Sequence, residues 1–228
     1  MFFSEKIIDF VCSTSLPPEE IKTYREYLAL AVLKYSFPEK FSRLHKAEAP
    51  DLQDIDGGIG IEVTYGGSPC DESISGESYK YSHAKTESDR ERCLNNIRRN
   101  GGDRDYYTVS YPPTTSKDDI AYVKTVFQKK QKKYNEYQKH FHCLGLAIVI
   151  DFPTFLITGF NWGEWLSQIN NSKYTFVAII YHYGIYIYDF ATREYISNKI
   201  DTTNINSIQN LARMATERII TDDDPVWQ

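Results

Sequence analysis

The sequence predicts an α/β domain in which a mixed central β-sheet is flanked by helices. Two segments with helical periodicity enclose a pair of short strands that are joined by an Asp-Gly-Gly turn. An unbroken apolar run, CLGLAIVID, has the length and composition of a strand that is buried on both faces. Because helices and strands alternate along the chain, we expect helices to pack on both faces of one sheet.

The composition is that of a globular protein that forms one domain over residues 1–228, with 41% hydrophobic and 25% charged residues. The net charge of −5 argues against a uniformly basic nucleic-acid-binding surface, although a local basic groove stays compatible with it. Four widely spaced cysteines without a C-x-x-C pair indicate reduced thiols and a cytoplasmic protein. Charged residues interrupt the first apolar stretch, so we expect neither a secretory leader nor a membrane partner.

The first elements are a helix and a strand pair. A Pro-Pro start and apolar residues at helical spacing predict a helix over residues 17–36. Two strands are then predicted over 49–55 and 59–65, around a turn at 56–58. The two strands are therefore expected to form an antiparallel hairpin.

Residues 67–118 are predicted to be a loop-rich insertion, because Gly, Ser, Asp, Tyr and Pro are frequent there. One short helix is predicted inside it, over SDRERCLNNIRRNGG. A loop segment of this length within a domain is usually functional or disordered.

The second half of the chain begins with a long helix, predicted over residues 116–141 from its capping pattern and periodicity. The buried strand follows at 143–151. A short helix in NWGEWLSQIN, a strand pair around His182-Tyr183-Gly184 and an amphipathic helix in NINSIQNLARMATERII complete the prediction. The acidic tail TDDDPVWQ is expected to be loose.

The predicted hairpin carries two acids that a two-residue turn at Asp56-Gly57 would place opposite each other, namely Asp51 and Glu62. Opposed like charges are unfavourable unless a cation lies between them or one acid takes up a proton, and oxygen ligands favour Mg²⁺ or Mn²⁺. A three-residue turn would instead separate the acids on a solvated face. In the first register, one face of the hairpin carries Asp51, Gln53, Glu62 and Thr64, and the other carries Leu52, Ile61 and Val63.

Pro50-Asp51, a short hairpin and then Ile61-Glu62-Val63-Thr64 together resemble the signature of the PD-(D/E)XK nuclease superfamily. The order of elements over roughly 17–152 is similar to the restriction-endonuclease-like core of that superfamily. The resemblance implies a nuclease that hydrolyses phosphodiester bonds in DNA with Mg²⁺ or Mn²⁺ as cofactor. Asp51 and Glu62 would be the metal ligands, and the carbonyl of Val63 would add a third. A homodimer is left open, because such nucleases often pair to cut two strands.

The sequence departs from that signature at position 64, where Thr replaces the Lys that orients or activates the attacking water. Another cation could replace it, the metal alone could activate water, or the site could be inactive. The alternative function is therefore a catalytically inactive nuclease-fold protein that binds nucleic acid or protein.

Lys130 is the first candidate for the missing cation, because it interrupts the apolar stripe of the long helix. The common alternative is that its side chain extends to the edge of the sheet and into solvent. Lys133 is the second candidate, and with Arg98 and Arg99 of the insertion it is also predicted to contact nucleic-acid phosphates. Acidic neighbours of the two arginines leave a solvated surface of mixed charge as the alternative.

Two further residues are candidates for support of the metal site. An acid on the first helix supports the metal in some members of the superfamily, which implies Glu20 here. Its alternative role is that of a carboxylate at a helix N-terminus. Gln53 is included because it shares the predicted face of the two acids.

Overall fold

The structure confirms the predicted α/β class, with a mixed central sheet flanked by helices. None of the helices in the described part of the chain is long and apolar enough to cross a membrane. The computed structural model describes Ile7 and residues 16–105, 108–113, 115–132, 140–150 and 160–227.

The predicted helices and strands occur in the predicted order, together with further elements that were not predicted. The helices are α1 (Ile21–Ser36), α2 (Pro38–Phe41), α3 (Pro69–His83), α4 (Glu87–Arg99), α5 (Ser116–Lys132), α6 (Trp162–Ser167) and α7 (Thr202–Thr216). The strands are β1 (His45–Lys46), β2 (Leu52–Asp54), β3 (Ile59–Tyr65), β4 (Asp103–Arg104), β5 (Val109–Ser110), β6 (Cys143–Val149), β7 (Phe176–Tyr181), β8 (Gly184–Asp189) and β9 (Tyr195–Lys199). Short 3₁₀ turns lie at Pro18–Glu20 and Pro225–Trp227.

The main sheet within the described residues has seven strands in the order β1-β2-β3-β6-β7-β8-β9. Its centre is parallel, since β6 pairs in parallel with both β3 and β7. The remaining pairs are antiparallel, and β4 and β5 form a separate ribbon. The edge strand β9 was not predicted, because its side chains are mostly exposed and show no apolar alternation.

Two apolar cores lie on opposite faces of the sheet. Helices α1 and α7 pack on one face, against side chains such as Ile61 and Ala147. Helix α5 and helix α6 pack on the other, where Val123 and Phe127 contact the core that contains Leu146. Alternate residues of β6 therefore face different helices, which explains its continuous apolar sequence. The predicted extension of α5 to residue 141 falls largely on 133–139, outside the described residues.

The segment 67–118 is mainly helical, so the prediction of a loop-rich insertion was wrong, although its one predicted helix is confirmed as α4. Helix α3 begins at a proline, and the side chain of Ser68 accepts a hydrogen bond from the Cys70 N–H at 3.1 Å. Acids in its first turn suit the helix dipole. Apolar residues are sparse in α3 and only Ile74 joins the buried apolar core, so hydrophobic periodicity gave little signal.

The acidic tail is also anchored, in contrast to the prediction that it is loose. Trp227 is buried and stacks on Tyr27, with ring centroids 5.7 Å apart. Lys34 donates a hydrogen bond from Nζ to the Trp227 carbonyl oxygen at 2.9 Å. Composition alone suggested a solvated tail, but the aromatic residue buries apolar area against α1.

We expect Tyr27→Phe to lower the free energy of unfolding by about 1 kcal/mol, because it removes the hydrogen bond that the Tyr27 hydroxyl donates to Asp222 Oδ1 at 2.7 Å. Burial raises the pKa of the Tyr27 phenol above its ordinary value of 10.0, and the hydrogen bond to Asp222 raises it further. The folded state thus keeps a proton that the unfolded state loses, so wild-type stability falls as the pH rises above 10.0. The stability of the variant should fall less over that range, as urea unfolding at pH 8 and at about pH 11 would measure.

Candidate active site

The β2–β3 hairpin has the register that brings the two acids opposite each other. Leu52 pairs with Ile61, and Asp54 pairs with Ile59. The Gly58 N–H donates to the Ile55 carbonyl oxygen at 3.1 Å, which closes a turn with Asp56-Gly57 at its centre. The predicted pairing register is confirmed, and Asp51 directly precedes β2. The connection is not the predicted two-residue loop, because residues 55–58 form a four-residue loop that ends at Gly58 with φ 62°.

Asp51 is held by backbone hydrogen bonds at the start of the hairpin. Its Oδ2 accepts from the Val63 N–H at 2.7 Å, and its own carbonyl oxygen accepts from the Ala47 N–H at 2.8 Å. The residue is only 7% exposed. Gln53 donates from Nε2 to the Pro50 carbonyl oxygen at 3.1 Å, so it supports the backbone immediately before Asp51.

The surroundings of Asp51 make its ionised form unfavourable. Burial raises the pKa of the Asp51 carboxyl, and the negative charges of Glu62 and Glu26 raise it further. The Val63 N–H and the Lys22 ammonium act in the opposite direction, but the net shift of the pKa is upward. A carboxylate in this state gains from a nearby cation.

Glu62 lies on β3 and contacts the lysine that the helix pattern singled out. Lys130 donates from Nζ to Glu62 Oε2 at 3.1 Å. The buried side chains of Val123 and Phe127 fix the rotation of α5, so Lys130 faces the sheet while Lys129 and Lys132 are exposed. Glu62 is 8% exposed. Lys133, the second candidate, lies outside the described residues.

The acid that α1 contributes is Glu26, which the sequence analysis missed. Glu26 is buried, and its carboxylate lies 3.2 Å from Lys22 Nζ and 2.9 Å from Lys46 Nζ. Glu20, which was predicted instead, is the residue immediately before α1. The signal for Glu26 was the one used for Lys130: a charged residue in line with the buried Leu30 and Leu33.

An open pocket of about 300 Å³ lies beside these side chains. Thr64 is one of the lining residues. Arg25 closes one side, because its guanidinium lies 3.6 Å from the centre of the Tyr65 ring and 2.5 Å from Glu72 Oε1. The charged lining residues are Lys22, Arg25, Glu26, Glu72 and Lys130. Of its three cations, Lys22 and Lys130 contact the hairpin acids Asp51 and Glu62, which do not themselves line the pocket.

The donor set at the hairpin suits a hard divalent cation, since Asp51 and Glu62 offer buried carboxylate oxygens, which such ions prefer. Within the described residues there is no group of three or more His, Cys, Asp or Glu side chains arranged to hold a metal. Mg²⁺ commonly binds through one or two carboxylates and keeps several waters, so two acids are compatible with it. The residues present thus fit the predicted cofactor.

The arginines predicted to bind nucleic acid lie away from these contacts, on α4. Arg98 donates from Nε to Asp103 Oδ1 at 3.1 Å, and Arg99 is exposed. Arg90 and Arg92 pair with Glu87 and Asp89 at 3.2 and 2.9 Å. This helix therefore presents the mixed-charge surface that the sequence analysis gave as the alternative.

Comparisons of the chain with protein-family models, curated proteins and solved structures found no match. The geometry of the hairpin and its pocket is therefore the basis for a functional assignment.

Proposed function

We propose that this protein is a divalent-metal-dependent nuclease of the PD-(D/E)XK type that hydrolyses phosphodiester bonds in DNA. One observation carries the proposal: the register of the hairpin aligns two buried acids, Asp51 and Glu62, and Lys130 of α5 contacts Glu62. Such an arrangement combines ligands for a hard cation with a positive charge for a phosphate. The open pocket next to them gives a substrate access.

Asp51 and Glu62 would hold the cation, and the carbonyl of Val63 is a further candidate ligand. When bound, a divalent cation supplies Lewis-acid stabilisation of negative charge and makes water a better nucleophile. Lys130 would take the role of the Lys that Thr64 replaces, because its ammonium already lies 3.1 Å from Glu62 Oε2. From this position it can stabilise negative charge on the nucleophile or on the phosphate.

The proposal is tested by incubating supercoiled plasmid and single-stranded DNA with the purified protein and Mn²⁺, and with EDTA as the metal-free control. We expect cleavage by the wild type that Glu62→Gln abolishes, because the amide is a poor ligand for a hard cation. Asp56→Asn is the matched control, since Asp56 lies in the same hairpin but is exposed at its turn. Cleavage that persists in Glu62→Gln, or that needs no metal, would exclude this site.

Thr64 favours a second candidate, a nuclease-fold protein without catalytic activity that binds nucleic acid or protein. Its distinguishing result is metal-independent retention of oligonucleotides in a gel-shift assay without any cleavage. Because phosphate contacts release counterions, such binding should weaken steeply as the salt concentration rises. Cleavage by the wild type and its loss in Glu62→Gln would rule this candidate out.

A further inference from the structure

Lys22 of α1 places an exposed ammonium close to two buried acids. Its Nζ lies 3.2 Å from Glu26 Oε1 and 3.7 Å from Asp51 Oδ1. The Lys22 side chain is 76% exposed, whereas those of Glu26 and Asp51 are 5% and 9% exposed. The two acids are therefore held in place by the fold, and the lysine reaches them from solvent.

Neither acid depends on Lys22 for its position. Asp51 keeps its hydrogen bond from the Val63 N–H, and Glu26 keeps its ion pair with Lys46. Ion pairs with an exposed member contribute little to stability. Lys22 can therefore leave without any loss of the contacts that orient the carboxylates.

A divalent ion bound by Asp51 would lie within a few ångströms of the Lys22 ammonium, and the two positive charges would repel each other. Lysine has a long flexible side chain, and Lys22 lines the same open pocket as Lys130. A phosphate in that pocket would attract the released ammonium.

We propose that Lys22 is a placeholder cation: it neutralises Asp51 until a divalent ion binds there, and it is then released to contact the phosphate of the substrate. This inference rests on the proposed function, since it assumes that Asp51 is a metal ligand. Lys22 would thus compete with the metal ion for Asp51, which is a different role from that proposed for Lys130.

The test is a titration of the protein with Mn²⁺ alone, monitored by calorimetry at fixed ionic strength and without nucleic acid. Lys22→Met should bind Mn²⁺ about three- to tenfold more tightly than the wild type, because the competing charge is gone. Lys22→Arg keeps the charge and should stay within about twofold of the wild type. Lys129→Met, which removes an exposed charge on the outer side of α5, should do the same.

The outcomes separate this inference from the proposed function. A wild type that binds no Mn²⁺ would overturn both. If the wild type binds Mn²⁺ and Lys22→Met binds it equally or more weakly, the placeholder role alone is wrong and Lys22 merely supports Asp51. An equal gain in Lys129→Met would also overturn it, because the effect would then be one of overall charge.

Discussion

If the protein has the proposed nuclease activity, Asp51→Asn is expected to lower the rate of Mn²⁺-dependent cleavage and, at the same time, to stabilise the metal-free protein at neutral pH. A metal ion typically contributes several kcal/mol of transition-state stabilisation, so loss of a ligand should lower the rate by about 10²- to 10⁴-fold. The amide oxygen of Asn can still accept the hydrogen bond that Asp51 Oδ2 accepts from the Val63 N–H. The hairpin should therefore keep its register in the variant.

The gain in stability follows from the pKa of Asp51, which burial raises above its ordinary value. The folded state consequently binds a proton more tightly than the unfolded state does, and the free energy of unfolding falls as the pH rises through this window. Asn carries no charge, so the variant avoids that loss. Its advantage should be absent at pH 3, grow as the pH passes the ordinary value of 3.8, and level off at neutral pH.

Thermal unfolding in EDTA at several pH values, alongside the cleavage assay, checks both halves of this prediction. Excess Mn²⁺ should raise the melting temperature of the wild type, because an ion that binds the folded state stabilises it. The melting temperature of Asp51→Asn should stay unchanged, because the variant lacks the ligand. Asp56→Asn again serves as the control, since Asp56 is exposed. A variant that is less stable than the wild type at neutral pH would show that the carboxylate is structural.

The hairpin could be predicted from the sequence because its geometry depends on local chemistry. The length of the loop was not predicted correctly, since it has four residues. The turn at Asp56-Gly57 nevertheless locates the hairpin and its register, and alternate apolar residues fix which face is buried. The position of Lys130 was predictable for the same reason, since Val123 and Phe127 determine the rotation of α5. Each of these inferences uses residues that are close together in the chain.

The missed features depend on contacts between distant parts of the chain. The helix pattern could mark Glu26 as a buried acid, but its place beside Asp51 depends on the packing of α1 against the hairpin, where Lys22 contacts both acids. Helix α3 has few buried side chains, and it is fixed partly by the ion pair between Arg25 and Glu72. Polar helices of this kind give no strong periodic signal.

The central strand β6 contains a glycine whose missing side chain makes room for an aromatic ring. Gly145 pairs with Phe176 on β7, and a Cβ added at Gly145 would lie only 2.2 Å from Phe176 Cζ. Phe176 is fully buried, with its ring centroid 5.8 Å from that of Phe41. The ring of Phe176 therefore lies across the neighbouring strand, in space that any other residue at 145 would fill.

We expect Phe176→Ala to lower the free energy of unfolding by about 3–5 kcal/mol, and Gly145→Ala to lower it by about 1–3 kcal/mol. The first change leaves a cavity, and the second forces the ring against a packed core. For a chain of this length, the first loss corresponds to a melting temperature roughly 10 °C lower. Gly76→Ala is the control, because its nearest neighbour, Pro18 Cγ, is 3.6 Å from the added Cβ and the helix should gain up to about 1 kcal/mol.

The two positions should also be coupled, which a double-mutant cycle with Phe176→Leu can measure. Leu is shorter than Phe and leaves space for the Cβ of Gly145→Ala, so the double variant should be more stable than the sum of the single effects by about 0.5–3 kcal/mol. Strict additivity in urea unfolding would mean that the ring does not use the space above Gly145.

The other neighbour of β6 is β3, which carries Glu62. A displacement of β6 at Gly145 would therefore also shift Glu62. Unchanged Mn²⁺ affinity in the double variant would then indicate that the core adjusts without moving the acids.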